Sequence, residues 1–137
     1  MSLVLDGSAA LAWCFADETT PAVDAVMDQV AEAGAVVPAI WRLEVANGPQ
    51  AGLRRSRLDA ERRDAMLAAL ADLPIGADPE TDRHAWTATL RLADRHALTL
   101  YDASYLELAL RLGLPMATLD KALRSAADTA GVPLLGH

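Results

Sequence analysis

The segment DASYLELALRLGLPMATLD, residues 102–120, decides the fold. Its first part reads as an apolar helix opened by Asp102 and ended by Gly113; Pro115 then leads into an apolar strand that finishes at Asp120. A helix from Asp102 to Leu112 carries the chain about 16 Å away, at 1.5 Å per residue. The strand from Pro115 to Leu119 brings it back about 16 Å, at 3.3 Å per residue. Asp120 therefore returns to the level of Asp102, at the rim where parallel strands end and where open α/β sheets bind ligands.

The remaining chain keeps this alternation of short apolar runs and longer amphipathic ones, which predicts an α/β fold with a largely parallel sheet. Residues 2–6 read as the first strand, followed by helices at about 8–16 and 20–33, the second announced by Thr20-Pro21 and stopped by Gly34. Residues 35–37 form a short buried strand, Pro38 sets up a helix from about 39, and helix resumes at about 59–72. Residues 73–77 carry a weaker strand pattern, Pro79-Glu80 starts a helix running to about His96, residues 121–130 are helical, and residues 132–135 form a last strand. Asn47-Gly48-Pro49 predicts a kink or break in the helix that carries Glu44, because an interior proline costs about 3 kcal/mol and a glycine about 1 more. There is no linker, low-complexity tract or long-period repeat, so residues 1–137 read as a single domain.

Composition narrows the functional classes. At 137 residues and 53% apolar content, the chain can bury a core, and no apolar run reaches the roughly 20 residues that span a bilayer. The N-terminus shows no signal-peptide pattern and Cys14 is the single cysteine, so a reducing cytoplasm is expected and thiolate zinc sites are excluded. Cys14 reads as a packing residue, and His84, His96 and His137 lack metal-ligand spacing. No glycine-rich phosphate loop follows a strand. The net charge of −7 is awkward for a nucleic-acid enzyme, although bound cations would neutralise part of it. Five of the twelve basic residues also crowd into one stretch, Arg54, Arg55, Arg57, Arg62 and Arg63, which is either a solvated helix surface or a phosphate contact.

Two further acids reach the same rim as Asp102 and Asp120. Asp6 ends the first strand, and Glu44 lies a turn or so into the helix after Val36-Val37, leaning back toward that helix's N-terminus. Any one of the three aspartates is adequately explained as a helix N-cap. Capping does not explain why four acids converge, whereas a divalent cation joining them does, and such a cation handles phosphate chemistry. Ser8 and Ser104 each stand two residues after an acid, and Thr118 two before one; each can orient a carboxylate, while turn bonding or β-propensity explains them equally well.

Four stretches together resemble the PIN-domain ribonucleases, in particular VapC-type toxins of type II toxin–antitoxin pairs. They are Leu5-Asp6-Gly-Ser-Ala, Trp41-Arg-Leu-Glu44-Val-Ala-Asn47, Leu100-Tyr101-Asp102-Ala-Ser-Tyr105 and Ala117-Thr118-Leu119-Asp120. The resemblance implies a three-layer α/β/α fold around a short parallel sheet and Mg²⁺ or Mn²⁺ held by the acids. It also implies endonucleolytic RNA cleavage, a homodimer, and inhibition by a small VapB-like antitoxin. Two departures stand out: Gly7 replaces the bulkier residue usual after the first acid, and Gly48-Pro49 interrupts a helix that is usually continuous.

The expected chemistry is metal-dependent hydrolysis of RNA phosphodiesters. Asp6 and Asp102 are the principal metal ligands, Glu44 and Asp120 complete the catalytic set, a metal-bound water attacks, and Arg54, Arg55 and Arg57 contact phosphates. Ser8, Thr118 and Ser104 stand behind the acids. A haloacid-dehalogenase-like enzyme would need an acid where Ser8 stands, and a phospho-receiver domain would need an adjacent acid pair by the first strand. The remaining alternative is a degenerate PIN-like domain that binds RNA or protein without cleaving.

Overall fold

The computed structural model of the chain describes residues 2–54 and 59–136, and side chains throughout these except at 49–54. The described residues form five strands and eight helices. Strands β1 (Leu3–Leu5), β2 (Ala35–Val37), β3 (Ile75–Ala77), β4 (Met116–Ala117) and β5 (Leu134–Leu135) make one sheet in the order β3-β2-β1-β4-β5, every pair parallel. Central β1 is covered on both faces, so its three residues are fully buried and read as a continuous apolar run. The chain leaves β1 outward to β2 and β3, then comes back to place β4 and β5 on the other side. Strand order therefore reverses between β1 and β4, and the crevice beyond their carboxyl ends is the place where such sheets bind ligands.

The helices are α1 (Gly7–Cys14), α2 (Pro21–Ala33), α3 (Trp41–Arg54), α4 (Ala60–Ala71), α5 (Thr81–His84), α6 (Ala88–His96), α7 (Leu100–Leu112) and α8 (Lys121–Thr129). Right-handed crossovers put α1–α4 on one face of the sheet and α5–α8 on the other. The packing agrees: α1 lies against α2 and α3, and α7 against α6 and α8. This is the expected three-layer α/β/α sandwich. Its core joins Leu3 and Leu5 to Val23, Val30, Leu106, Leu108, Met116 and Leu123, all essentially without exposure.

The structure corrects four local expectations. Helix α3 runs unbroken through Gly48-Pro49. Gly48 stands where α3 crosses α1, and a Cβ there would lie 2.6 Å from Leu11 Cδ1. Gly7 serves the same crossing from the other helix, since its Cβ would meet Val45 Cγ2 at 3.3 Å. The helix expected from Pro79 to His96 is two helices, α5 and α6, parted at residues 85–87. Helix α5 is held at the end of β3, where Thr81 Oγ1 accepts from Ala39 N and donates to the Asp78 carbonyl; α6 instead packs on α7. Strand β4 ends at Ala117, two residues earlier than its apolar run. Finally, Thr99, and not Asp102, caps α7, accepting from Asp102 N at 3.1 Å.

Arg111 secures the far end of α7. Its guanidinium donates to Glu107 and to Asp78 and Glu80 beyond β3. Asp78 and Glu107 are nearly fully buried, and each is paired, as a buried charge has to be.

Candidate active site

Asp6 leaves β1 at the strand-order reversal and occupies the N-cap position of α1, yet its side chain makes no capping bond. Oδ2 instead accepts from Ser8 Oγ at 2.6 Å and from Thr118 Oγ1 at 2.7 Å. The same two hydroxyls act as acceptors on the other side: Ser8 Oγ takes Leu119 N at 2.9 Å, and Thr118 Oγ1 takes Asp120 N at 3.1 Å. Two of these four hydrogen bonds, Thr118 to Asp6 and Leu119 to Ser8, tie the start of α1 to the loop after β4, and the other two brace each side. Thr118 is completely buried and Asp6 is 8% exposed, so the knot is sheltered from water.

Asp120 caps α8 through Oδ2, which accepts from Leu123 N at 2.9 Å. Capping uses one of its oxygens, so the cap and a role in the site are compatible. Glu44, in the first turn of α3, accepts from the Tyr105 hydroxyl at 2.7 Å through Oε1. Tyr105 belongs to α7, one turn beyond Asp102, and is 1% exposed. Sequence reading quoted Tyr105 within a motif without giving it a role; a buried phenol needs an acceptor, and that need was the available signal.

Electrostatics show which acids share a space. Burial raises the Glu44 carboxyl above the usual carboxylate range; the Tyr105 bond opposes this, and the charges of Asp6 and Asp102 add to it. Burial likewise raises Asp102, reinforced by Asp120 and Asp6, with a Thr99 hydrogen bond opposing. The Tyr105 phenol is pushed far up by burial and by Glu44, so it remains a hydrogen-bond donor. Asp6 and Asp102 thus both act on Glu44, and Asp6 and Asp120 both act on Asp102, which links the four acids, from four different elements, as repulsive neighbours.

That repulsion is what a hard divalent cation relieves, and carboxylate oxygens are its preferred donors. The donor set fits such an ion chemically. Among the described residues no three acidic, histidine or cysteine side chains stand close enough together to hold a metal ion as they are.

Other expected site residues fall elsewhere. Ser104 does not join the acids; its hydroxyl donates to the Tyr101 carbonyl one turn back at 2.6 Å. Arg55 and Arg57 lie outside the described residues, as does the side chain of Arg54.

Residues 3–129 match the family model of the PIN domain, nearly the whole chain. The chain belongs to the PIN-domain family. This PIN domain is 29% identical over 123 residues to Ribonuclease VapC3 of Pyrobaculum aerophilum, an alignment covering 90% of the chain and 92% of that protein. Its fold resembles the crystal structure of PAE2754, also from Pyrobaculum aerophilum, with a TM-score of 0.67 and 26% identity over 98% of this chain and 92% of that one. It also resembles FitAcB from Neisseria gonorrhoeae, with a TM-score of 0.66, coverage of 98% and 96%, and 19% identity, a likeness of fold alone.

Proposed function

We propose that this PIN domain is a divalent-metal-dependent endoribonuclease, the toxin of a toxin–antitoxin pair restrained by a VapB-like antitoxin. The observation that carries this reading is the repulsion that links Asp6, Glu44, Asp102 and Asp120 at the reversal of strand order. Likeness to a protein named as a VapC ribonuclease supports the choice of RNA as substrate. In this reading the chain works as a single domain in the cytoplasm, as a homodimer. No helix among the described residues is long and apolar enough to cross a membrane.

Asp6 and Asp102 are the principal ligands for Mg²⁺ or Mn²⁺, with Glu44 and Asp120 completing the set. When bound, the cation supplies an activated water and neutralises charge on the phosphoryl oxygens. The protein's own work is placement. Ser8 and Thr118 fix Asp6, the α8 N-terminus fixes Asp120, and Tyr105 fixes Glu44. The acids repel one another when they are ionised together, and a bound cation would offset that repulsion.

Asp6→Asn and Asp102→Asn test the reading. Each keeps the shape of the side chain and removes one charge. RNA cleavage should fall at least about a hundredfold in each, about 3 kcal/mol of transition-state stabilisation. The stabilisation by Mn²⁺ that follows from preferential binding to the folded state should also disappear. Full cleavage by both purified variants would refute the assignment, and wild-type protein that binds RNA without cutting it would favour the non-catalytic alternative.

A further inference from the structure

A chain with a net charge of −7 that handles RNA needs a local surplus of cations away from its acidic rim. One stands at a cleft of about 440 Å³ where α5, α6 and α7 meet, lined by His84, Arg91, Arg95, Glu107 and Arg111 among others. Arg111 is committed, because it pairs with Glu107, Asp78 and Glu80. Arg91 and Arg95 are exposed, and neither guanidinium has an ion pair or hydrogen bond among the described residues.

These two arginines lie one turn apart on α6. Like charges at that spacing weaken a helix, so the stability of α6 does not account for the pair. The helix dipole explains a cation in the last turn, where Arg95 stands, and not Arg91 a turn earlier. His84 adds a third unmet group. Its Nε2 is buried without a hydrogen-bond partner among the described residues, and its Nδ1 is 3.8 Å from Glu107 Oε1, beyond hydrogen-bond reach. Two unpaired guanidiniums and an unsatisfied imidazole nitrogen around one cleft call for an anion with several acceptor oxygens, and arginine's fork matches phosphate.

Helix α7 joins this cleft to the rim. Asp102 and Arg111 stand on it about 14 Å apart along the axis, at 1.5 Å per residue. Residues 97–99 turn α6 back against α7, so from Arg91 to Arg95 the cations step toward the end that carries Asp102. The turn between α5 and α6, whose flanking residues His84 and Ala88 line the cleft, carries Trp86, 88% exposed, an open ring of the kind on which an unpaired base stacks. We propose that this cleft holds the phosphate backbone of single-stranded RNA, with Arg91 and Arg95 as positioning residues that keep the strand in place while a bond is cut at the rim. The inference rests on the RNA reading above and deepens it: the chain grips its substrate at one site and cuts it at another.

Fluorescein-labelled single-stranded RNA, titrated with the full-length protein in EDTA and followed by anisotropy, reads the grip without the cut. Arg91→Gln/Arg95→Gln removes two charges from exposed, unpaired side chains at little cost in helix propensity, so the variant should fold as wild type does. Its RNA affinity should fall about tenfold, and the plot of log affinity against log salt should become shallower by about 1.4, at about 0.7 per phosphate contact of a single strand. Arg91→Lys/Arg95→Lys keeps both charges and should keep the slope. With Mg²⁺ present, the glutamine variant should cut RNA with KM raised about tenfold and kcat unchanged.

Wild-type affinity and slope in the glutamine variant overturn the inference, as does wild-type protein that binds no RNA in EDTA. A glutamine variant that keeps its RNA affinity but loses binding of polyglutamate, or loses self-association in sedimentation, reassigns the cleft to an acidic partner or to a second copy and overturns it too. The two readings fail separately. Protein that grips RNA through the arginines and never cuts it upholds the cleft and sinks the nuclease reading, whereas protein that cuts RNA equally well without them does the reverse.

Discussion

Gly48→Ala tests how closely α1 and α3 cross, the contact that carries Glu44 up to Asp6. A Cβ at this position would stand 2.6 Å from Leu11 Cδ1 and 3.4 Å from Cδ2. Apolar carbons rest about 3.5–4.0 Å apart, so the first contact is about 1 Å too short and the end of the Leu11 side chain has to move. Overpacking of this kind costs about 1–3 kcal/mol. Against it stands the gain of about 1 kcal/mol that alanine normally brings to a helix interior. The net expectation is a loss of about 1 kcal/mol, measured by urea unfolding of metal-free protein. In a Leu11→Ala background the obstruction is gone, and the same substitution should stabilise by about 1 kcal/mol. The cycle therefore carries a coupling of about 2 kcal/mol, well above the scatter expected for independent sites. An alanine that stabilises the wild-type background by about 1 kcal/mol, with an additive cycle, would refute the close crossing.

Three other outcomes follow from the same structure. Because Glu44 and Asp102 titrate higher in the folded protein than in the unfolded chain, the folded state holds more protons, and metal-free stability should fall as pH rises from the ordinary carboxylate range through their raised values. Asp102→Asn should flatten that slope and raise metal-free stability near neutral pH; a steeper slope in the variant contradicts the repulsive cluster. Thr118→Val leaves Asp120 N without its acceptor and Asp6 with Ser8 alone, which should cost about 2 kcal/mol in chemical denaturation; a neutral result would mean that the knot contributes nothing. Burial pushes the Cys14 thiol up to about 11, so it should resist alkylation at pH 8 until the protein unfolds, as followed by mass spectrometry.

Element lengths made much of the fold readable. The helix that follows Thr99 and the apolar run before Asp120 were enough to suggest that Asp102 and Asp120 are neighbours, although β4 itself is only two residues long, and the apolar run of β1 suggested a third acid beside them. What stayed hidden depended on neighbours. Gly48-Pro49 reads as a break because local propensity says so, yet α3 continues through it, and the approach of Leu11 accounts for the glycine alone. The parting of α5 from α6 has no glycine or proline to mark it; it follows from one helix being tied to β3 and the other packing on α7. Ser8 and Ser104 stand at the same offset from an acid and behave differently. Ser8 follows an extended Asp6 and can reach its carboxylate. Ser104 sits inside a helix, where the carbonyl of Tyr101 is the nearer acceptor. Tyr105 was unreadable as a partner of Glu44 because which helical faces meet across the sheet is not written in either helix alone.

The hydrogen bond between Thr118 and Asp6 joins positions 112 residues apart. A polypeptide emerging from the ribosome could not close this link until the 112 residues that follow Asp6 had been made. Any fragment that stops before Thr118 lacks both the donor and Asp120, so a prematurely terminated product should be harmless to the cell that makes it. For a protein proposed to poison its own host, that late assembly is a safeguard written into the order of the strands.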